Sequence, residues 1–249
     1  MKTLPVSIML IEDYIQDYKI KGLKCCITIL QCLTKEDFED GNYYDVIYRS
    51  LKNNSEVKDL VVTKLFLDAL REQMKIIHPE MKDKQVAELY EIILEQLHTE
   101  SNLYRKEMLL IFLKEIIQKH TINCASGKKM FMEVIKNNLE LCTSETVGHI
   151  LLSILLECFQ EWIKYCWCVW KLSMDHRVLS LLIKMLYIYK EEEHVSTIQK
   201  IIIVLFSLCT KPERAKLLSN LDKSSQLKDE QFIKSIDTIK NEFTEIDSK

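Results

Sequence analysis

Apolar residues recur at helical spacing along most of the chain, in paired stretches separated by short polar corners. Helical hairpins are predicted to begin near five residues, so that successive units start 39, 40, 44 and 48 residues apart. These starts are Leu4, Tyr43, Asp83, Gly127 and Asp175. Repeats of this length are typical of HEAT-type proteins. Because one helical pair cannot bury its apolar stripe alone, the pattern predicts an all-α fold, a HEAT/armadillo-like α-α superhelix (solenoid) of about five helical pairs.

Gly22 interrupts the apolar pattern of the second predicted helix, between Ile20 and Leu23. A glycine inside a helix costs up to about 1 kcal/mol relative to alanine, because it has more backbone freedom to lose. We therefore expect Gly22 to lie where this helix crosses a neighbour closely.

Polar segments predict where the hairpins end. Thr34–Asp37 resembles a capping box, and the acidic segment that follows it to Gly41 is predicted to be an exit loop. His78 precedes a proline and is predicted to end the second pair. The second helix of the fourth pair is predicted from Glu145, with a continuation or a bend through the tryptophan-rich stretch that follows. Lys211-Pro212 is predicted to close the fifth pair.

The composition changes near residue 221, which predicts an α-solenoid over residues 1–221 and a polar C-terminal segment over residues 222–249. One apolar line remains in that segment, at the spacing of a single amphipathic helix. It consists of Phe232, Ile236, Ile239 and Phe243. Two interpretations stay open: a helix that caps the last repeat, or a helix that docks on a partner.

The charge balance bears on the kind of partner that the protein binds, and the cysteines bear on the cellular compartment in which it folds. The chain has 34 Lys+Arg against 37 Asp+Glu, so it lacks the basic excess of a phosphate-backbone binder, and nucleic acid is not an expected partner. Nine cysteines lie mostly in apolar helical stretches, where cysteine behaves as a small hydrophobe, which predicts reduced thiols in an intracellular protein. Charged residues interrupt the apolar stretch Val147–Trp170, so we expect a soluble protein without membrane attachment.

Candidate catalytic chemistry is sparse. Cys166 and Cys168, with His176 after them, come nearest to a metal cluster, but a one-residue gap on a helix points the two sulfurs to different faces. The sequence has no phosphate-binding glycine loop and no zinc-protease or hydrolase motif. We therefore expect neither a metal, nor another cofactor, nor an enzyme.

Four aromatic residues fall within nine positions near the middle of the chain: Trp162, Tyr165, Trp167 and Trp170. At about 100° per helical residue, the first two share one face and the last two share a roughly opposite face. Either neighbouring repeats cover both faces, or one face is a partner-binding surface, because tryptophan is enriched among binding hot spots. These four residues and the C-terminal apolar line Phe232, Ile236, Ile239 and Phe243 are the predicted partner-binding residues.

Several segments, in order, resemble a known family. Leu4–Tyr14, followed by Tyr18–Cys25, is similar to the opening of the C-terminal repeat region of the second Tel-two-interacting protein family, a subunit of the Triple T co-chaperone complex. Tyr44–Leu51 and Ile163–Trp167 resemble later helices of that family. Family members are about twice as long as this chain, and their cysteine-tryptophan segment commonly continues with proline, where Cys168 stands here.

The resemblance implies a non-enzymatic scaffold. Such a scaffold would assemble with the first Tel-two-interacting protein and with Tel two, and would support the Hsp90-dependent maturation and stability of phosphatidylinositol-3-kinase-like kinases. It would act in the cytoplasm, with the nucleus as a further location. The main alternative is an armadillo/HEAT-type adaptor or transport solenoid that binds peptide or cargo, for which a cationic groove or a ladder of asparagines would be typical.

Overall fold

The computed structural model describes residues 3–32, 43–76, 79–224 and 229–247, and within these residues the secondary structure is helical, without strands. Two short 3₁₀ segments, Thr121–Gly127 and Trp167–Val169, interrupt the α-helices. The α-helices are α1 Leu4–Ile11, α2 Gln16–Cys32, α3 Tyr43–Asn53, α4 Leu60–Ile76, α5 Pro79–Thr99, α6 Leu103–His120, α7 Lys128–Leu141, α8 Glu145–Cys166, α9 Leu172–Ile188, α10 Glu192–Ser207, α11 Lys211–Ser224 and α12 Glu230–Asp247.

Consecutive helices pair into hairpins, and the hairpins stack on their neighbours. Each of the first five hairpins, from α1/α2 to α9/α10, forms by contact between its own two helices. First helices contact first helices (α1 with α3, α5 with α7, α7 with α9), and second helices contact second helices from α2 through α10. The prediction of an all-helical chain with packing between neighbouring helices is confirmed. This arrangement is compatible with an α-solenoid.

Helix α11 begins where the sequence was expected to close the fifth pair. Pro212 lies in its first turn, where the missing N–H has no helical partner to lose. Thr210 and Glu213 form a capping box: the Thr210 backbone N–H donates to Glu213 Oε2 at 2.9 Å, and the Glu213 N–H donates back to Thr210 Oγ1 at 3.5 Å. The fifth pair does end before Lys211-Pro212, because α10 ends at Ser207, and these two residues open another helix.

The C-terminal segment does contain one amphipathic helix, α12, which packs against α9 and α10. Leu221 and the apolar line of α12 belong to the same buried core as the preceding hairpins. The change in composition near residue 221 therefore does not interrupt the core. The predicted capping box Thr34–Asp37, the exit loop to Gly41 and His78 lie outside the described residues.

Helix α8 combines a length of 22 residues with a strongly apolar composition. The stretch Glu145–Val169 is long and apolar enough to cross a membrane by length and composition, with a mean hydropathy of 1.2. Half of its most apolar window is buried inside the fold, where α8 contacts α6, α7 and α10. Most of its polar side chains, among them Glu157 and Lys164, are exposed. Packing in the core accounts for its apolar residues.

Gly22 lies at a close crossing of α2 with α1, which confirms the prediction. A Cβ atom at this position would lie 2.6 Å from the backbone nitrogen of Ile11 and 2.8 Å from the carbonyl carbon of Leu10. The Ser7 hydroxyl donates a 2.9 Å hydrogen bond to the Gly22 carbonyl across the same contact. The absent side chain is what allows the two backbones to touch.

Gly148 leaves room for a bond between two later hairpins. A Cβ atom on Gly148 would lie 1.5 Å from the hydroxyl oxygen of Tyr189. That hydroxyl donates a 2.6 Å hydrogen bond to the carbonyl oxygen of Cys142, just beyond the end of α7. The glycine in α8 thus lets the end of α9 cap the end of α7.

Two partly or fully buried lysines make the same kind of contact in different hairpins. Lys106 Nζ donates to the carbonyl oxygen of Leu97 in the last turns of α5 (3.4 Å) and to Asn138 Oδ1 of the next hairpin (2.9 Å). Lys19 Nζ donates to the last carbonyl oxygen of α1 (2.9 Å) and to Asn54 Oδ1 of the next hairpin. Burial lowers the pKa of both ammonium groups. Each lysine therefore ties a helix end to the following hairpin.

A buried ion pair joins the second and third hairpins. Glu100 and Arg105 bond to each other with side chains 2% and 4% exposed. Arg105 also donates to the carbonyl oxygen of Ser55 and to Thr63 Oγ1, both at 3.0 Å. Burial alone would raise the pKa of Glu100, but hydrogen bonds from the backbone of Asn102 and from Arg105 lower it. Because both charges are paired and bonded, the cluster is tolerated inside the stack.

Candidate partner-binding edge

Two connections between hairpins lie side by side on one edge of the stack. The first is the 3₁₀ segment Thr121–Gly127, and the second is the 3₁₀ segment Trp167–Val169. Cys166 Sγ lies 3.6 Å from the carbonyl oxygen of Thr121 and 4.0 Å from that of Ile122. The exposed side chains of Ile122 and Trp167 therefore project from adjoining positions, and we name this region the Trp167 edge.

The second connection is bonded at both ends. The Trp170 backbone N–H donates to the carbonyl oxygen of Trp167 at 3.1 Å, and Lys128 Nζ donates to the carbonyl oxygen of Val169 at 2.7 Å. Lys128 Nζ also forms a 2.8 Å ion pair with the buried carboxylate of Asp175. The turn that carries Trp167 is thus attached to both α7 and α9.

The four clustered aromatic residues have different environments. Trp162 is completely buried and stacks on Phe131, with ring centroids 4.9 Å apart. Tyr165 is half-buried, and Lys164 Nζ lies 5.0 Å from its ring centroid. Trp170 is buried, whereas Trp167 is 56% exposed.

The expectation that Trp167 and Trp170 share a helical face is wrong, because α8 ends at Cys166. The chain then forms a 3₁₀ turn, and Trp170 has an extended backbone conformation. This change of direction sends the Trp170 indole into the core and leaves the Trp167 indole outside. A regular helix through both residues would have placed them together.

The predicted C-terminal partner-binding residues are all buried. Phe243 packs beside Phe206 with ring centroids 5.7 Å apart, and Phe232 makes an edge-on contact with Tyr187 at 5.8 Å. The exposed fractions are 2%, 0%, 0% and 1% for Phe232, Ile236, Ile239 and Phe243. This placement favours the interpretation of α12 as a capping helix. Among the predicted partner-binding residues, Trp167 and part of Tyr165 remain accessible.

The Trp167 edge carries a local excess of positive charge. Residues 119–129 and 164–175 contain five lysines and one carboxylate, Asp175, whereas the whole chain has a net charge of −3. Asp175 is already paired with Lys128. The remaining four lysines are exposed; they are Lys119, Lys129, Lys164 and Lys171. An acid-free run from residue 119 to residue 129 is visible in the sequence, but its proximity to Trp167 is not.

The clefts of the described part have mixed charge. One, of about 740 Å³, lies between the α3–α4 connection and α5, beside the buried pair Glu100–Arg105. A second, of about 440 Å³, lies between α5 and α7, with Met130 and Glu91 in its wall. Both mix acidic with basic side chains, so neither selects a ligand by charge.

The thiol pair singled out in the sequence is split by the fold. Cys166 is buried, and burial raises its pKa to about 12, whereas Cys168 is exposed. His176 is exposed on α9. In the ranges that the structure describes, no group of three or more His, Cys, Asp or Glu side chains is placed to hold a metal ion.

No protein-family model, curated protein or solved structure matches this chain.

Proposed function

We propose that this chain is a HEAT-type α-solenoid and a non-enzymatic scaffold subunit of a Triple T-like co-chaperone complex. It assembles with the first Tel-two-interacting protein and with Tel two, in the cytoplasm and in a nuclear pool. Through them it supports Hsp90-dependent maturation of phosphatidylinositol-3-kinase-like kinases. The observation that carries the scaffold function is Trp167, which is 56% exposed on a bonded turn at the edge of the stack.

The HEAT-type assignment is supported by the order of contacts. First helices pack on first helices and second helices on second helices, with hairpins that begin at Leu4, Tyr43, Pro79, Lys128 and Leu172. Such stacks expose long ridged faces on which other solenoids pack, and tryptophan supplies large contact area at low entropic cost. The order of the family-like segments along the chain supports the choice of complex.

The adaptor alternative depends on asparagines that are free to hold an extended peptide. Asn54 and Asn138 do occur near the ends of first helices, but both are engaged within the fold. Asn138 Nδ2 donates to the carbonyl oxygen of Val134 at 2.7 Å, while its Oδ1 accepts from Lys106. Asn54 makes the matching bonds to Ser50 and Lys19. These asparagines join hairpins, so they favour the scaffold over the peptide carrier.

The test is assembly with purified proteins. The full chain is mixed with the recombinant first Tel-two-interacting protein and Tel two, and complex formation is measured by size-exclusion chromatography with light scattering. We expect a stable co-eluting complex. Trp167→Ala should weaken it, and Tyr104→Ala is the matched control, because Tyr104 is also 56% exposed but lies at the start of α6.

A second measurement addresses the cellular role. The tagged chain is expressed in cells, and co-purifying proteins are quantified by mass spectrometry. Enrichment of Triple T subunits and kinases is expected. Enrichment of import receptors or cargo without Triple T subunits would contradict the proposal and support the adaptor.

A further inference from the structure

We propose that the Trp167 edge binds an acidic segment of a partner protein, with the Trp167 indole seated against an apolar residue of that segment. This inference rests on the proposed scaffold function and specifies the chemistry of the partner. It combines three features of one surface: an exposed indole, a turn fixed by bonds from two hairpins, and exposed lysines on either side of that turn.

The turn is preorganised for binding. The carbonyl oxygens of Trp167 and Val169 both accept hydrogen bonds, from Trp170 N–H and from Lys128 Nζ respectively. The buried indole of Trp170 anchors the C-terminal side of the turn in the core. A side chain displayed on a fixed backbone loses little freedom on binding, which is how a single aromatic residue becomes an effective anchor.

The charge of the surface selects an acidic partner. Exposed lysines lie before and after the turn, at Lys164 and Lys171, and Lys119 and Lys129 lie in the helices that flank the adjoining connection. Lys129 also lines the cleft between α5 and α7 together with Glu91 and Glu95, so the lysines that flank the turn itself are Lys164 and Lys171.

The nearby carboxylates of α8 and α9 are accounted for. Glu157 bonds to Lys114 at 2.7 Å, and Asp175 bonds to Lys128 at 2.8 Å. Glu161 lies 3.9 Å from Lys164, at the limit of an ion pair. A partner that brings carboxylates would therefore meet the exposed ammonium groups of Lys164 and Lys171 on either side of the turn, and complementary charge gives both orientation and a faster association rate.

A protein segment fits this surface better than a membrane. Helices that lie on membranes bury a broad apolar face over several turns, rich in large apolar side chains. Here the exposed large apolar side chains of the two connections are Ile122, on the 3₁₀ segment of seven residues, and Trp167, on the 3₁₀ turn of three residues. One indole beside one isoleucine matches the size of an anchor pocket in a protein interface.

The experiment identifies the segment by photo-crosslinking. p-Benzoylphenylalanine replaces Ile122 in the full chain, so that Trp167 stays intact, and the tagged protein is irradiated in cells. Crosslinked peptides are sequenced by mass spectrometry. The control carries the crosslinker at Tyr104. We expect the Ile122 position, and not the control, to crosslink to a segment in which Asp and Glu clearly outnumber Lys and Arg.

Affinity for the purified crosslinked partner is then measured at several salt concentrations. Lys164→Glu with Lys171→Glu should weaken binding at least about tenfold and flatten its salt dependence, because exposed charge pairs are screened by salt. Lys24→Glu with Lys64→Glu, on exposed positions of α2 and α4, is the charge control and should leave affinity unchanged. Trp167→Ala should weaken binding by a similar factor at all salt concentrations.

The outcomes separate the two proposals. An acidic segment on a Triple T subunit supports both, and an acidic segment on an unrelated protein supports this inference while the proposed complex fails. The inference is overturned if Triple T subunits bind but crosslink through neutral or basic segments, or if their affinity does not change in the lysine variants. Either result would leave the proposed scaffold function intact. Trp167-dependent binding to phosphatidylserine vesicles, without a protein crosslink, would also overturn it.

Discussion

Individual side chains near the end of α8 differ in environment although they are neighbours in sequence. Trp162 is completely buried and Trp170 is 6% exposed, whereas Trp167 is 56% exposed. The difference arises because the chain leaves the helix after Cys166 and turns before Trp170. The same residue type therefore supports the core at two positions and is available for binding at the third.

Single substitutions should separate these roles. Trp170→Ala should lower the free energy of unfolding by about 3–5 kcal/mol, because it removes a large buried side chain and leaves a cavity. Trp167→Ala should change it by less than about 1 kcal/mol, as most surface substitutions do. Urea denaturation followed by circular dichroism measures both. Equal losses for the two variants would show that the Trp167 indole is part of the core.

Gly22 offers a second prediction at the scale of one residue. Gly22→Ala would place a Cβ atom 2.6 Å from the backbone of Ile11, and backbone atoms cannot move aside as a flexible side chain can. We expect a loss of about 1–3 kcal/mol from overpacking, larger than the gain in helix propensity. Thermal melting gives the measurement, and Lys24→Ala on an exposed position of the same helix is the control. A variant that melts above the parent would refute the close crossing.

The geometry of the Trp167 edge depends on where helices α6 and α8 end. Helix α6 ends at His120, and Thr121 follows with φ 53° and ψ −126°, the one positive φ among the described non-glycine residues. A β-branched side chain rarely adopts this conformation, which glycine adopts readily. The carbonyl oxygen of Thr121 accepts from Cys166 Sγ, so the strained residue lies where the two connections meet.

Relief of this strain should stabilise the protein. Thr121→Gly removes a steric cost of about 1–3 kcal/mol, partly offset by the greater freedom of glycine in the unfolded chain, so we expect a net gain of about 1 kcal/mol. Thr121→Ala keeps the Cβ atom and should give no such gain. Differential scanning calorimetry compares the three proteins. A destabilised glycine variant would mean that the threonine side chain makes contacts that outweigh the strain.

At the scale of the whole molecule, buried polar groups join one hairpin to the next. Arg105 bonds to the preceding hairpin through Ser55 and Thr63, while Lys106 bonds to the following one through Asn138. Two adjacent residues in the first turn of α6 thus reach in opposite directions along the stack. Such bonds fix the register of hairpins whose apolar contacts alone would tolerate sliding.

The buried ion pair Glu100–Arg105 should contribute more to the free energy of unfolding than the exposed ion pairs along the stack do. Arg105→Met leaves the Glu100 carboxylate buried without its cation, and we expect a loss of about 3–5 kcal/mol. Lys114→Met breaks the pair with Glu157, whose side chains are 30% and 47% exposed, and should cost about 1 kcal/mol or less. Guanidinium denaturation is the measurement. Adding Glu100→Gln to Arg105→Met should recover part of the loss; if it deepens the loss instead, the uncompensated charge is not the cause.

Part of this architecture could be predicted because its signals are local. Apolar periodicity depends on neighbouring residues, and it gave helix bounds such as Lys128–Leu141 as they are observed. The glycine at position 22 and the apolar line of α12 are local signals of the same kind. The capping box Thr210–Glu213 is also a local signal, and it marks the start of α11.

The sequence by itself therefore determined the helices of the first five hairpins and their pairing, but it did not indicate α11. Only the tertiary structure decided which of these faces stay open to a partner, because exposure depends on residues distant in the chain. Trp170 is buried and Trp167 exposed through a turn held by Lys128, roughly forty positions earlier. Lysine is usually a surface residue. Lys19 and Lys106 are nevertheless buried, because carbonyl oxygens near the ends of other helices accept hydrogen bonds from their ammonium groups. Exposure and burial at these positions were decided by long-range packing and its hydrogen bonds, which produce no periodic pattern in the sequence.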